Sequence, residues 1–167
     1  MNLKMMNVAD VRWNLSAMYS DIADPQIDKD IALLAGLMKK FHADHKGKLA
    51  VTLGKAISDY AEISMLGERI GIYLFLMQTM NLSDAVIKAK VAETEKMISN
   101  ISGEYLTFFE IELVALDDAA LDRLFLENPV VARHRPWIEH SRIFKPNFLI
   151  FHFEYKTNYF VWFQTKR

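Results

Sequence analysis

The sequence contains no cysteine and no hydrophobic run long enough to cross a membrane. The lack of cysteine excludes a disulfide framework, a thiolate zinc site and cysteine-based catalysis, and it is consistent with the reducing cytoplasm, where we expect the protein to act. The longest apolar run, residues 70–80, contains Gly71, Gln78 and Thr79 and is far shorter than the roughly 20 residues that span a bilayer. The first ten residues lack the apolar core of a signal peptide, so we also expect no export.

The chain also lacks a strong net charge, since 20 basic and 21 acidic residues leave a formal charge of -1. We therefore expect neither nucleic acid nor an anionic membrane as a partner. The charge is unevenly distributed. Residues 1–127 carry 13 basic and 19 acidic side chains, whereas residues 128–167 carry seven basic and two acidic ones. This distribution predicts attraction between the two parts of the chain.

Several sequence patterns that carry chemistry are absent. The chain has no HExxH zinc-binding helix, no phosphate-binding loop, no dinucleotide-binding glycine pattern and no nucleophile elbow around its serines. We therefore expect no catalytic, cofactor-binding or metal-binding residues in this chain.

Two pairs of residues merit separate consideration as candidate sites. His42 and His45, three positions apart, could reach one metal ion from one helix face, but no third ligand is nearby and Lys46 follows them. We interpret them as a solvated helix terminus. Glu110 and Glu112 are two positions apart and so face different sides of a helix, which favours solvated or ion-paired roles over acid–base catalysis.

Helical periodicity extends over most of the chain. Capping signals followed by apolar residues at spacings of three and four predict long helices over residues 25–45, 49–80 and 83–116, with shorter helices after Asp117 and Pro129. We interpret Gly54, Gly67 and Gly71 as positions where another helix packs closely. The sequence therefore predicts an all-α fold of antiparallel helical hairpins.

The composition changes after residue 149. Residues 150–167 contain seven aromatic side chains, and those at 151, 153 and 155 alternate with polar residues as in a β-strand. No second strand pattern exists for this tail to pair with, so we expect it to pack poorly or to be helical by default.

Five segments, in order along residues 10–149, resemble the oligoendopeptidase F family of zinc metallopeptidases. Residues 12–19 (RWNLSAMY) resemble the family's W-[DN]-L-[ST]-x-[LM]-Y entry, and residues 41–49 (FHADHKGKL) are similar to the turn after its first helix. Residues 73–84 (YLFLMQTMNLSD) resemble its Y-x-x-L run with a capping T-x-D, and residues 108–113 (FFEIEL) resemble its F-F-x-[LI]-E-[LI] segment. Residues 135–149 (RPWIEHSRIFKPNFL) resemble its Y-[RK]-x-[WYF]-[LI]-E-x-x-R-x-x-x-P-H-x-L.

The resemblance implies a function that this chain cannot perform alone. Family members are longer helical enzymes whose N-terminal helical region forms a wall of a deep channel that admits short peptides, while a later domain supplies HExxH and a distant glutamate as zinc ligands. The resemblance therefore implies that residues 1–149 are the N-terminal domain of a truncated enzyme. Its partners would be the missing catalytic domain and oligopeptides, and zinc would belong to the full-length protein.

The chain departs from the family pattern at two places. Asn147 stands where the family has a histidine that is not a zinc ligand, and residues 150–167 replace an acidic helical stretch. We interpret this tail as the product of a shifted reading frame.

Two other functions remain open at this point. One is a free-standing helical protein-interaction module. The other is nucleic-acid binding by Arg133, Arg135, Arg142 and Lys145 with Trp137 and Phe144. Compensation of the acidic N-terminal part of the chain, or docking onto another domain, explains the same residues.

Overall fold

The computed structural model describes residues 14–143. The described residues form helices and connecting turns without a strand, which confirms the all-α prediction. The elements are α1 (Pro25–His45), α2 (Leu49–Met80), α3 (Ala85–Tyr105), α4 (Thr107–Ala115), α5 (Asp118–Glu127), α6 (Pro129–Arg133) and α7 (Arg135–Arg142). The predicted tail, Lys145 and Asn147 lie outside the described residues.

Side-chain caps fix where four of these helices begin. The Asp24 carboxylate accepts a hydrogen bond from the Gln26 N–H at 2.8 Å, and the Asp84 carboxylate accepts from two N–H groups of α3. Asp117 caps α5 and Asn128 caps α6 in the same way. Each cap satisfies N–H groups that have no partner within the helix. The predicted starts of α1 at residue 25 and of α5 after Asp117 are confirmed, whereas α3 begins at Ala85 rather than at residue 83.

The three long helices are joined by short turns, so that each runs antiparallel to the one before it. The short turn between α1 and α2 contains Gly47 with a φ of 75°, a left-handed conformation that glycine adopts without strain. The Lys90 ammonium at the start of α3 donates to Asp28 at the start of α1 at 2.6 Å, so these two helices run in the same direction. The core between the helices contains the predicted apolar positions Ile27, Ile31, Leu34, Met38, Phe41, Leu49, Leu53, Ile57, Ile63, Ile70, Leu74, Ile87 and Val91.

The predicted third helix to residue 116 is wrong at its C-terminal end. The helix stops at Tyr105, and α4 begins at Thr107, whose hydroxyl donates to the Gly103 carbonyl at 2.9 Å. Such a side-chain bond to the backbone competes with regular helix hydrogen bonding. The break also permits two consecutive side chains, Phe108 and Phe109, to be buried together against the other helices.

The glycine prediction is correct at one position and wrong at another. A Cβ atom on Gly54 would lie 2.3 Å from the Asn128 amide nitrogen, so α6 approaches α2 there as closely as glycine permits. A Cβ on Gly67 would make only ordinary contact with Leu34. A Cβ on Gly71 would meet open space, so within residues 14–143 no helix packs closely against this position.

The short helices close one end of the molecule. The break between α6 and α7 falls at His134, just before Pro136, which lacks the N–H needed to continue a helix from α6. Val131 of α6 and Ile138 of α7 are fully buried and hold both helices against the bundle. No helix within residues 14–143 has the length and apolar character needed to cross a membrane.

Candidate functional site

Several exposed apolar side chains lie along the C-terminal half of α2 and its connection into α3. Ile72 follows Met65 after two helical turns and Phe75 follows after one more, so the three share a side of α2. We call the following set the α2–α3 apolar face, whose members are between 44% and 71% exposed: Met65, Ile72, Phe75, Leu82 and Val86. Monomeric proteins rarely leave large contiguous apolar patches exposed to water, so this face is a candidate interaction surface.

The opposite end of the bundle contains a closely packed aromatic cluster. The ring of Phe41 on α1 lies 5.2 Å from that of Phe109 on α4 and 6.0 Å from that of Tyr60 on α2. Trp137 on α7 stacks on Tyr60 at 6.4 Å and on Phe109 at 6.1 Å. Aromatic side chains supply large buried areas, so this cluster joins four helices into one core.

His45 lies within this end of the core, so its interpretation as part of a solvated terminus is wrong. Its side chain is 1% exposed, and its Nε2–H donates to the Asp59 carboxylate at 2.8 Å. His42, by contrast, lies against the rings of Tyr105 and Phe108. The two histidines therefore contact different helices, and the fold does not direct both side chains toward one metal ion.

The structure instead brings Asp44, His45 and Asp59 together, with one potential ligand atom from each within 4.8 Å of the others. Both carboxylates already bind ammonium groups, Asp44 that of Lys40 and Asp59 that of Lys55. Burial raises the pKa of Asp59, but its hydrogen bonds from Lys55 and His45 outweigh that effect, and the net pKa is lowered. The cluster is an ion-paired network with its charges already compensated.

A metal ion fits this network poorly. It would have to displace both lysines and take the Nε2 atom of His45, which would move the ring proton to Nδ1. That Nδ1 atom is buried and has no hydrogen-bond partner, whereas histidine ligands normally donate from the second nitrogen to an acceptor. We therefore interpret the cluster as structural.

The N-terminal motif is held by a second polar network. The Tyr19 hydroxyl donates to the buried carboxylate of Asp30 at 2.8 Å, and the Arg69 guanidinium lies over the Tyr19 ring and donates to the Met18 carbonyl. Burial and the bond to Asp30 raise the pKa of Tyr19 well above its ordinary value, so the hydroxyl keeps its proton. This network attaches the segment before α1 to both α1 and α2.

Glu110 and Glu112 contact different neighbours, as their spacing predicts. The Glu112 carboxylate accepts a hydrogen bond from the Gly47 N–H at 2.8 Å and so supports the turn between α1 and α2. Glu110 acts on the hydroxyl of Tyr60, whose pKa is raised first by burial and then by this carboxylate. The two glutamates therefore do not form a catalytic pair.

The basic C-terminal residues have intramolecular partners. Arg142 is 8% exposed at its side chain and donates to the Leu113 and Leu116 carbonyls and to Asp118. Arg135 pairs with Glu139 at 2.7 Å and covers the ring of Phe125. These bonds favour docking onto the bundle over phosphate binding as the role of both arginines.

A cleft of about 440 Å³ opens between α5 and α7. Leu121 and Phe125 contribute apolar surface, while Asp118 and Glu139 on its rim are the carboxylates that pair with the two arginines. Asp122 and Arg142 also line the cleft, so it is rich in charge, but Asp118, Glu139 and Arg142 are already engaged in ion pairs.

Two features of these sites were missing from the sequence interpretation. Asp30 and Asp59 are both polar positions on amphipathic helices, and neither the bond to Tyr19 nor the bond to His45 has a local sequence signature. The exposed side of α2 did have a signal, because residues 70–80 are apolar on all sides of the helix. A helix of that kind is expected to be buried on every side. The described residues bury only the side of α2 that faces the bundle.

Comparison of the chain with protein-family models, with curated proteins and with solved structures found no match.

Proposed function

We propose that this chain is the N-terminal, channel-wall domain of a truncated oligoendopeptidase F-like zinc metallopeptidase whose full-length form cleaves short peptides. In this proposal the chain contributes helical surface and the missing domain contributes the zinc and the catalytic residues. Residues 1–149 belong to the peptidase-like domain, and residues 150–167 are a frame-shifted tail.

The segments that carry the family resemblance have structural roles in the fold. Tyr19 of the first segment is buried against α1. Phe108 and Phe109, two consecutive residues of the segment 108–113, are buried between α1, α2 and α7. In the last segment, Ile138 is buried and Arg142 binds two backbone carbonyls. Such roles are those expected of motif residues in a non-catalytic domain.

The observation on which the proposal chiefly rests is the α2–α3 apolar face. A helix with apolar residues on all sides is typical of the interior of a larger protein. Here Ile70 and Leu74 are buried against the bundle, while Ile72 and Phe75 on the other side are exposed. The proposal assigns this uncovered side to contact with the missing catalytic domain.

Two measurements test the proposal. The first is the DNA sequence downstream of the coding region, in which we expect another reading frame to encode HExxH. The second is metal analysis with a peptide-cleavage assay on the purified chain. We expect neither stoichiometric zinc nor hydrolysis, since residues 14–143 assemble no open three-ligand site with a water-activating glutamate. Unrelated downstream DNA, or one tightly bound zinc with chelator-sensitive cleavage, would contradict the proposal.

The same apolar face supports one alternative, a free-standing helical module that binds another protein. The downstream DNA separates the two, because a module requires no HExxH-encoding sequence beyond its stop codon.

A further inference from the structure

The exposed side of α2 carries a repeat that allows the helix to pair with a copy of itself. Five exposed residues follow one another at spacings of three and four, as the a and d positions of a coiled coil do. We call the following five positions the α2 stripe: Met65, Glu68, Ile72, Phe75 and Thr79. The bundle covers the other side of the same helix, where Ile70, Tyr73 and Leu74 are buried.

An antiparallel pair of α2 helices brings the apolar members of the stripe together. In such a pair an a position of one helix faces a d position of the other, so Ile72 of each copy faces Phe75 of the second copy. These two side chains are 44% and 55% exposed in the single chain. The same register places Met65 opposite Leu82, which is 69% exposed in the turn that follows α2. The surface is therefore complementary to itself.

The charge of Glu68 favours this register over the alternatives. In a parallel pair each residue faces its own counterpart, so the two Glu68 carboxylates would repel each other. An antiparallel pair shifted by one heptad would place Glu68 against Ile72 and desolvate an unpaired charge. When Ile72 faces Phe75, Glu68 instead faces Thr79, which is polar and exposed. The net charge of -1 also means that two copies do not repel each other strongly as whole molecules.

We propose that two copies of this chain pair reversibly through the α2 stripe, with their α2 helices antiparallel about a two-fold axis. A two-fold contact uses the same surface on both copies, so association ends at the dimer. Each copy contributes only a few side chains, whereas a standard interface has about 20–30 residues on each side, so the dimer is weak and forms at high concentration.

This pairing does not rest on the proposed function. The second copy occupies the α2 stripe when no catalytic domain is bound, and a catalytic domain that covers the α2–α3 apolar face would compete with it. A chain that stays monomeric would overturn the pairing and leave the proposed function to be judged by its own tests, because the measurements below contain no catalytic domain.

The test is sedimentation velocity of the full chain over a concentration series from about 10 µM to 1 mM, the range in which a weak contact of this size is populated. We expect the average mass to rise with concentration from that of a monomer toward that of a dimer. A monomer at every concentration, or association that Phe75→Glu does not weaken, would overturn the proposal.

Single charges locate the contact. Phe75→Glu places a carboxylate against Ile72 of the second copy, so it should weaken dimerisation at least about tenfold. Leu126→Glu makes the same kind of change at an 87% exposed residue of α5 and should leave dimerisation unchanged. Equal effects of the two variants would show that association is not specific to the α2 stripe and would overturn the proposal. Because both side chains are exposed, we expect both variants to keep the helical circular dichroism of the wild type.

A mixture of two variants tests the register. Ile72→Lys alone places a cation against Phe75 of the second copy and should also weaken dimerisation. In a mixed pair of Ile72→Lys and Phe75→Glu, the introduced lysine and glutamate face each other, and the unchanged Ile72 and Phe75 meet on the other side of the two-fold axis. We expect the mixture to associate at least about fivefold more tightly than either variant alone. No gain on mixing would overturn the proposal.

Discussion

The two halves of α2 differ in what covers them. Around Gly54 and Tyr60, the N-terminal half contacts α6, α4 and α7, and an aromatic cluster fills the space between them. Around Gly71 and Phe75, the C-terminal half is buried only toward the bundle, with Tyr73 against Tyr19. Within residues 14–143, α2 is therefore part of a packed core at its N-terminal half and carries exposed apolar side chains at its C-terminal half.

The largest difference in stability should come from removing one ring that packs against the N-terminal half of α2 and one ring that lies on the C-terminal half. We expect Phe109→Ala to lower the free energy of unfolding by about 3–5 kcal/mol, because it leaves a cavity between three helices. Phe75→Ala should change it by less than about 0.5 kcal/mol, because this ring is 55% exposed to solvent. Denaturant titrations measure both values, and equal losses would abolish the distinction between the halves.

Arg142 tests how strongly α7 is held against the C-terminal end of α4. Arg142→Ala should lower the free energy of unfolding by about 2 kcal/mol, because it removes the charged donor of the Leu113 and Leu116 carbonyls. Arg135→Ala, which removes an exposed pair with Glu139, is the matched control and should have a smaller effect. A larger loss from Arg135→Ala than from Arg142→Ala would show that the Arg142 hydrogen bonds do not hold α7 in place.

Asp59 tests the polar network at the same end. The pKa of Asp59 is lowered in the folded protein, so in acid the unfolded chain binds more protons than the folded one. The carboxylate of Asp59 therefore stabilises the fold fully at pH values above its ordinary pKa of 3.8. That contribution is lost as the pH falls through the lower folded pKa. We expect Asp59→Asn to be less stable than the wild type near pH 7 by under about 1 kcal/mol, with the difference shrinking below pH 4. A difference that does not change with pH would contradict this account of the network.

The tail tests where the domain ends, and it should have the smallest effect on stability. Truncation after Leu149 removes seven aromatic residues that the domain does not need under the frame-shift hypothesis, so the shortened chain should be at least as stable and aggregate less. Thermal unfolding and light scattering measure the two properties. A loss of roughly 2 kcal/mol, the scale of a buried large side chain, would show that the tail belongs to the fold.

Local sequence signals were sufficient for much of the fold. Asp24-Pro25 and the spacing from Ile27 to Phe41 predicted α1 with its observed bounds, because capping and helical periodicity act within a few residues. The break at Leu106 was not predictable in the same way. The apolar period continues through it, and only the packing of Phe108 and Phe109 against other helices shows why the chain turns there.

The polar partners were harder still to predict. His45 and Asp59 are 14 positions apart on different helices, and nothing in the spacing of either helix indicates that they meet. The Tyr60–Trp137 contact likewise joins α2 to α7 across most of the chain. Contacts of this kind depend on how the helices are arranged, which is a property of the whole fold rather than of a local pattern.

The most direct test of the central claim is calorimetric titration of this chain with the HExxH-containing polypeptide that we expect downstream DNA to encode. We predict saturable binding that Phe75→Glu on the α2–α3 apolar face abolishes. Val51→Glu, an equally drastic change at an isolated exposed residue of the N-terminal half, should leave the affinity unchanged. Binding that is absent from the wild type, or that Phe75→Glu does not weaken, would show that the open half of α2 is not the interface with a catalytic domain.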